Sequence, residues 1–222
     1  MRRFSALVFV LCLSGFACAS ELSIIAIQPM GKRLPDADVA MVRDGLTQFF
    51  GLEVVVLPRV PLPKSAYFKP RKRYRADTLL DFLKAKKPKN AFRILGLTAA
   101  DISTTKGKVY DWGILGLATL DGTSCVVSSF RTKKRSSGAR HARERLSKVA
   151  VHEIGHTLGL DHCPSLGCLM EDAHGSVLTS DREYDLCPRC RAALKKWGYR
   201  LPDKPKIPWS KPPNTNGPTP VK

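Results

Sequence analysis

Within the eleven residues from His152 to His162, His-Glu-Ile-Gly-His-Thr-Leu-Gly-Leu-Asp-His, three of the chain's five histidines and one glutamate stand at a fixed spacing. On an α-helix, residues four apart share a face, so His152 and His156 aim their rings at one point only if this segment is helical. Gly159 falls at the next turn, where a residue without Cβ can take the left-handed conformation that ends a helix and turns the chain back. That reversal brings His162 to the same point from another side. Three imidazoles around one cation leave a fourth position open, and this vacancy separates a catalytic zinc site from a closed structural one. Glu153 sits beside the pair, placed to take a proton from a water acidified by the metal rather than to bind the metal. His141 and His174 have no partner at ligand spacing and read as solvent-facing loop or helix-end residues.

Cys163 adjoins His162, Cys168 follows, and Cys187 and Cys190 flank Pro188-Arg189. Four thiolates in short-spaced pairs suit a tetrahedral zinc with every position filled. In an oxidising compartment the same four could close two disulfides, although the ligand-like spacing favours metal. Consecutive Cα atoms are about 3.8 Å apart, so ions bound through His162 and Cys163 would lie within roughly 10–15 Å of each other. The second would brace the first.

Residues 152–190 resemble the archaemetzincins, a metzincin family whose extended zinc helix runs into a four-cysteine site. The resemblance implies an α/β, metzincin-like single domain with a mixed, mostly parallel sheet, an antiparallel edge strand, a long zinc-binding helix and a small C-terminal subdomain. It implies that His152, His156 and His162 hold a catalytic zinc with Glu153 as general base. It further implies that Cys163, Cys168, Cys187 and Cys190 hold a structural zinc, giving two Zn2+ per chain, and that Met170 is the methionine of the Met-turn beneath the first site. On its own, Met170 reads as core filling. The implied substrate is a peptide or protein, paired as an extra strand along Gly113–Leu120, where Gly116 and Ala118 leave room for its backbone. An ordinary edge strand is the plain reading of those residues.

The strand-helix alternation upstream agrees with parallel pairing. Residues 22–29, 54–57 and 92–97 read as strands, and 36–50 and 78–86 as helices, the first with Asp36 or Asp38 available as N-cap. Gly113–Leu120 and Ser124–Phe130 flank Asp121-Gly122, a hairpin turn, with Cys125 as a buried strand residue. The zinc helix reads from about Ala142 to Leu160, and the four-cysteine subdomain spans 163–190. Part of Glu171–Ser180 is expected to line a pocket behind Met170.

Met1-Arg2-Arg3, the apolar run Phe4–Phe16 and Ala17-Cys18-Ala19 read as an export signal cleaved after residue 19, which implies a periplasmic or secreted protein. Lipid anchoring through Cys18 is the lesser reading, because Gly15 stands where an aliphatic residue is expected. No later stretch is long and apolar enough to span a membrane. Residues 20–201 then form the catalytic domain, and the Pro- and Lys-rich 202–222 an extended, poorly packed tail.

The chain carries 37 basic and 19 acidic residues, a net charge of +18. Basic clusters occupy Lys64–Arg75, Lys84–Lys89 and Arg131–Arg145, the first interleaved with Tyr67, Phe68 and Tyr74 as a nucleic-acid groove would be. Export argues against nucleic acid and for an acidic peptide or an anionic cell-surface polymer, with solvated faces as the plain reading. Two classes follow: a zinc metallopeptidase, or a non-catalytic zinc module that binds anionic polymers through its basic surface.

Overall fold

The computed structural model describes residues 24–211. Residues 1–19, read as an export signal and including Cys18, and residues 212–222 lie outside them. In chain order the elements are β1 (Ile24–Met30), α1 (Asp36–Phe50), β2 (Glu53–Val56), β3 (Tyr67–Phe68), β4 (Arg73–Arg75), α2 (Ala76–Lys86), β5 (Ala91–Thr98), β6 (Ile102–Lys106) and β7 (Val109–Ile114). There follow β8 (Gly116–Ala118), β9 (Ser124–Ser128), α3 (Ser129–Thr132), α4 (Ala139–Thr157), α5 (Thr179–Arg182) and α6 (Pro188–Lys196). Among the described residues, no helix is long and apolar enough to cross a membrane.

The main sheet has the order β2-β1-β5-β9-β8. The first four strands pair in parallel, and β8 closes the edge antiparallel to β9, in the register Gly116 to Val127, Leu117 to Val126 and Ala118 to Cys125. Parallel strands need both faces covered, and the side-chain alternation shows how this is met. Ile25, Ile27, Leu95, Leu97, Cys125 and Val127 join a core with α1 and α4, whereas Ala26, Met30, Ile94 and Val126 meet α2 on the opposite face. The mixed α/β domain with an antiparallel edge strand is thus the architecture present.

Several boundaries differ from the sequence reading. The expected strand Gly113–Leu120 is cut at Leu115, so that its first part ends β7 in a second sheet and its last part is β8. That second sheet, β3-β4-β6-β7, has strands of two to six residues rich in Lys, Arg and Thr, with no clean alternation to announce them. Pro35, not an aspartate, is the N-cap of α1; Asp36 and Asp38 lie in its first turn, at the positive end of the helix dipole. The zinc helix starts and ends three residues earlier than expected, at Ala139 and Thr157.

Ion pairs hold several of the arginines. Arg73 bridges Asp101 (2.8 Å) and Asp111 (2.7 Å), and Arg131 also holds Asp101 at 2.9 Å. Arg145 is fully buried and grips both oxygens of Asp181 at 2.6 and 2.7 Å. His141 is therefore no free solvent-facing residue: its Nε2 lies 2.7 Å from the same carboxylate. The tail reading also needs correction over its first part. Residues 202–211 form no helix or strand, yet Trp209 is only 3% exposed. Its ring stacks on Phe49 with centroids 6.3 Å apart, and its indole N–H donates to the Tyr184 carbonyl at 3.1 Å.

Trp209→Ala is expected to cost about 3–5 kcal/mol of stability, as loss of a buried aromatic does, read as a lower urea midpoint with an unchanged slope.

Candidate active site

Helix α4 carries His152, Glu153 and His156 on the turn that faces the edge strand β8. Its C-terminal end is fixed by three contacts. The buried Arg93 donates to the Thr157 carbonyl at 3.0 Å, the Asp121 N–H in the hairpin turn donates to the His156 carbonyl at 3.0 Å, and the Leu160 N–H reaches the Gly155 carbonyl at 3.1 Å. These satisfy carbonyls that a helix end otherwise leaves unpaired. Gly159 follows at φ +95°, a left-handed value that side chains rarely tolerate, and the chain reverses there. His162 then returns: its ring centroid is 5.4 Å from that of His152 and 4.8 Å from that of His156. One ring nitrogen from each of the three histidines lies within 4.8 Å of the others.

The hydrogen bonds decide which nitrogens are available. Nδ1 of His152 lies 2.6 Å from the Leu169 carbonyl, and Nδ1 of His156 lies 2.6 Å from the Leu160 carbonyl. A carbonyl can only accept, so both Nδ1 atoms carry the proton and both Nε2 atoms present lone pairs. Those two lone-pair nitrogens are 2.9 Å apart. Neither can donate to the other, so the approach is repulsive unless a cation lies between them. Burial, and then the neighbouring His156, pull the His152 pKa down to about 3, which keeps this ring neutral as a ligand must be. His156 is lowered as well, chiefly by burial. The donor set and its geometry fit a zinc ion.

Glu153 is buried, and burial raises its carboxyl pKa to about 8. Its Oε2 has no hydrogen-bond partner among the described residues. Gly116 of β8 lies against it; a Cβ there would stand 2.5 Å from the Glu153 Oε1. A cleft of about 410 Å3 opens over the imidazoles, with β8 along one side and residues 171–175 along the other.

Behind His162, the sulfurs of Cys163, Cys168, Cys187 and Cys190 all lie within 4.8 Å of one another, and all four residues are buried. A tetrahedron of sulfurs about 2.3 Å from a central zinc has edges of roughly 3.8 Å. The Cys163–Cys187 and Cys168–Cys190 separations are 3.7 and 3.9 Å, and none of the cysteines is bonded to another. Backbone N–H groups of Ser165 and Cys187 point at the sulfurs of Cys163 and Cys168, at 3.5 and 3.3 Å. The arrangement fits a shared cation better than two disulfides.

Met170 is fully buried under α4, where a Cβ on Gly155 would stand 2.5 Å from its Sδ. Its carbonyl accepts from the Cys163 N–H at 2.7 Å, tying the return loop to the segment that delivers His162. All the sequence-predicted residues are thus brought together in two adjoining clusters. The sequence reading missed the carbonyls of Leu160 and Leu169, which carry no side-chain signature. It also missed Trp112 of β7 and Glu183, which line the cleft. His174 is exposed and faces Asp172 at 3.2 Å, outside the triad.

Known proteins share this arrangement of chain. Residues 36–196 match the profile of peptidase family M54. The structure is similar to the crystal structure of archaemetzincin from Methanopyrus kandleri, at 32% identity and a TM-score of 0.66, covering 78% of this chain and 93% of that one. It is similar also to archaemetzincin from Archaeoglobus fulgidus complexed with malonate, at 34% identity and a TM-score of 0.64, covering 76% and 98%. The archaemetzincin of Halobacterium salinarum is 31% identical over 156 residues, 67% of this chain and 87% of the relative. Fold and sequence together define a zinc metallopeptidase. The chain belongs to the archaemetzincins, peptidase family M54.

Because Met170 fills a closed space, Met170→Ala is expected to lose about 2–5 kcal/mol, whereas the volume-conserving Met170→Leu loses less than about 1.5. Urea unfolding of both variants at saturating zinc checks the difference.

Proposed function

We propose that this chain hydrolyses peptide bonds at a zinc ion held by His152, His156 and His162, with Glu153 as general base, and that a second zinc is held by Cys163, Cys168, Cys187 and Cys190. The observation that carries the reading is the pair of unprotonated Nε2 atoms 2.9 Å apart beside a buried carboxylate oxygen with no described partner. Zinc supplies Lewis acidity, which makes water nucleophilic near neutral pH and polarises a carbonyl. Glu153 takes the proton released as the carbonyl is attacked and returns it to the departing amine. Strand β8 is free on its outer edge, so an extended peptide can pair along Gly116–Ala118 and bring its carbonyl over the imidazoles.

The structural zinc does no chemistry here. It fixes the segment that begins at Cys163, and through the Cys163–Met170 hydrogen bond it steadies both the third imidazole and the loop below the site. The polymer-binding alternative has less support, since Arg73, Arg131, Arg143 and Arg145 are already paired with Asp101, Asp111, Asp38 and Asp181. Residues 1–19 are proposed as an export signal, and N-terminal sequencing of the protein secreted by its host should then begin at Ser20.

Assayed with zinc on a diverse peptide library, Glu153→Gln is expected to lower cleavage by at least about a hundredfold. Its metal content should stay at two zincs per chain, with His152→Ala and Cys190→Ser each losing one by elemental analysis. Cleavage by Glu153→Gln at the native rate would rule out the general-base role.

A further inference from the structure

In a chain of net charge +18, the cleft wall has the opposite sign. It carries Glu153, Asp161, Glu171, Asp172 and Glu183, against Lys106 as its one lysine or arginine. Most of these carboxylates have assigned neighbours. Glu171 holds the Arg182 guanidinium and accepts the Gly167 N–H at 2.8 Å; Asp172 accepts the His174 N–H at 2.8 Å and faces the rings of His162 and His174. Glu153 abuts the imidazoles.

Glu183, like Glu153, is buried and unpaired among the described residues, but it does not abut the imidazole ligands in sequence. It is 3% exposed, lines the cleft, and makes no side-chain hydrogen bond among the described residues. Lys148 on α4 is the chief opposite charge acting on it, but its ammonium donates to the Ser180 carbonyl at 2.9 Å and no ion pair with Glu183 forms among the described residues. Burial pushes the Glu183 carboxyl well above the usual range and lowers Lys148, so each is held toward its neutral form. A carboxylate buried without a donor is costly, and an entering ammonium or guanidinium brings both the opposite charge and the missing donors.

The position suits a substrate side chain. Glu183 lines the same cleft as the imidazoles and Glu153, so a lysine or arginine side chain of a peptide lying there can reach it.

We propose that Glu183 is a specificity-determining residue that selects peptides with a lysine or arginine adjacent to the scissile bond. This rests on the peptidase reading above and names its substrate class. It reverses what composition suggests: the basic clusters lie outside the cleft, and acidic groups line it.

The test uses the zinc-loaded protein and matched peptides that carry Lys, Arg, norleucine or Glu at each residue flanking the cleaved bond. The expected result is a kcat/KM for Lys and Arg at least about tenfold above norleucine at one flanking position. Glu183→Gln should collapse that ratio, mainly through KM, and Glu183→Lys should turn the preference toward Glu. A carboxylate that served only to balance Lys148 would change stability and leave the ratio as it was, which overturns the proposal.

Calorimetric binding to the Glu153→Gln protein gives a second readout that needs neither turnover nor a folded Glu183 variant. The lysine peptide should bind at least about tenfold more tightly than its norleucine counterpart, and equal affinities overturn the assignment. Failure of the native protein to cleave any peptide sinks the peptidase reading, whereas cleavage without a basic preference sinks only the role given to Glu183.

Discussion

Two backbone carbonyls, those of Leu160 and Leu169, determine what the imidazoles of this protein can do. By accepting from Nδ1 of His156 and His152, they fix the tautomer and turn both Nε2 lone pairs into one small space. Neither carbonyl belongs to a regular strand, and each is placed by a different device. Leu160 is set by the helix termination at Gly159, and Leu169 by the loop that starts in the cysteine cluster and receives the Asp185 carbonyl on its N–H at 3.0 Å. The histidine centre thus depends on the helix end and on the sulfur cluster at once.

The rest of the fold holds the end of α4 steady. The helix packs with α1 on one face of a sheet whose alternating side chains are buried on both sides, so its axis has little freedom. Arg93 from β5 and Asp121 from the hairpin turn reach its last carbonyls from two different parts of the chain. Strand β8, held by the same hairpin, lies against Glu153 at Gly116. Glu153, the three imidazoles and the edge strand are therefore referenced to one short stretch of backbone.

How much of this could be read in the sequence depended on whether the signal was carried by a side chain at fixed spacing. The histidine pair, the glycine break, the cysteine pairs and the Asp121-Gly122 turn each have such a signal, and the structure brings their residues together. The parallel sheet was legible because strands buried on both faces appear as short apolar runs. The second sheet was not, since its strands are too short and charged to alternate, and Arg73 there looks like surface until Asp101 and Asp111 arrive from later in the chain. Trp209 sits in a Pro- and Lys-rich stretch whose composition hides one deeply packed ring. Glu183 follows a four-residue helix and looks solvated in sequence, because only the folded chain shows what encloses it.

The covalent adjacency of His162 and Cys163 makes the two clusters one mechanical unit. A single peptide link joins a half-exposed ring facing the cleft to a thiol sealed beneath it. Any reagent that captures those sulfurs acts on the histidine centre as well, by releasing the anchor that aims its third ring. An electrophile or oxidant reaching the cysteines would therefore disturb the third imidazole, although no cysteine lines the cleft.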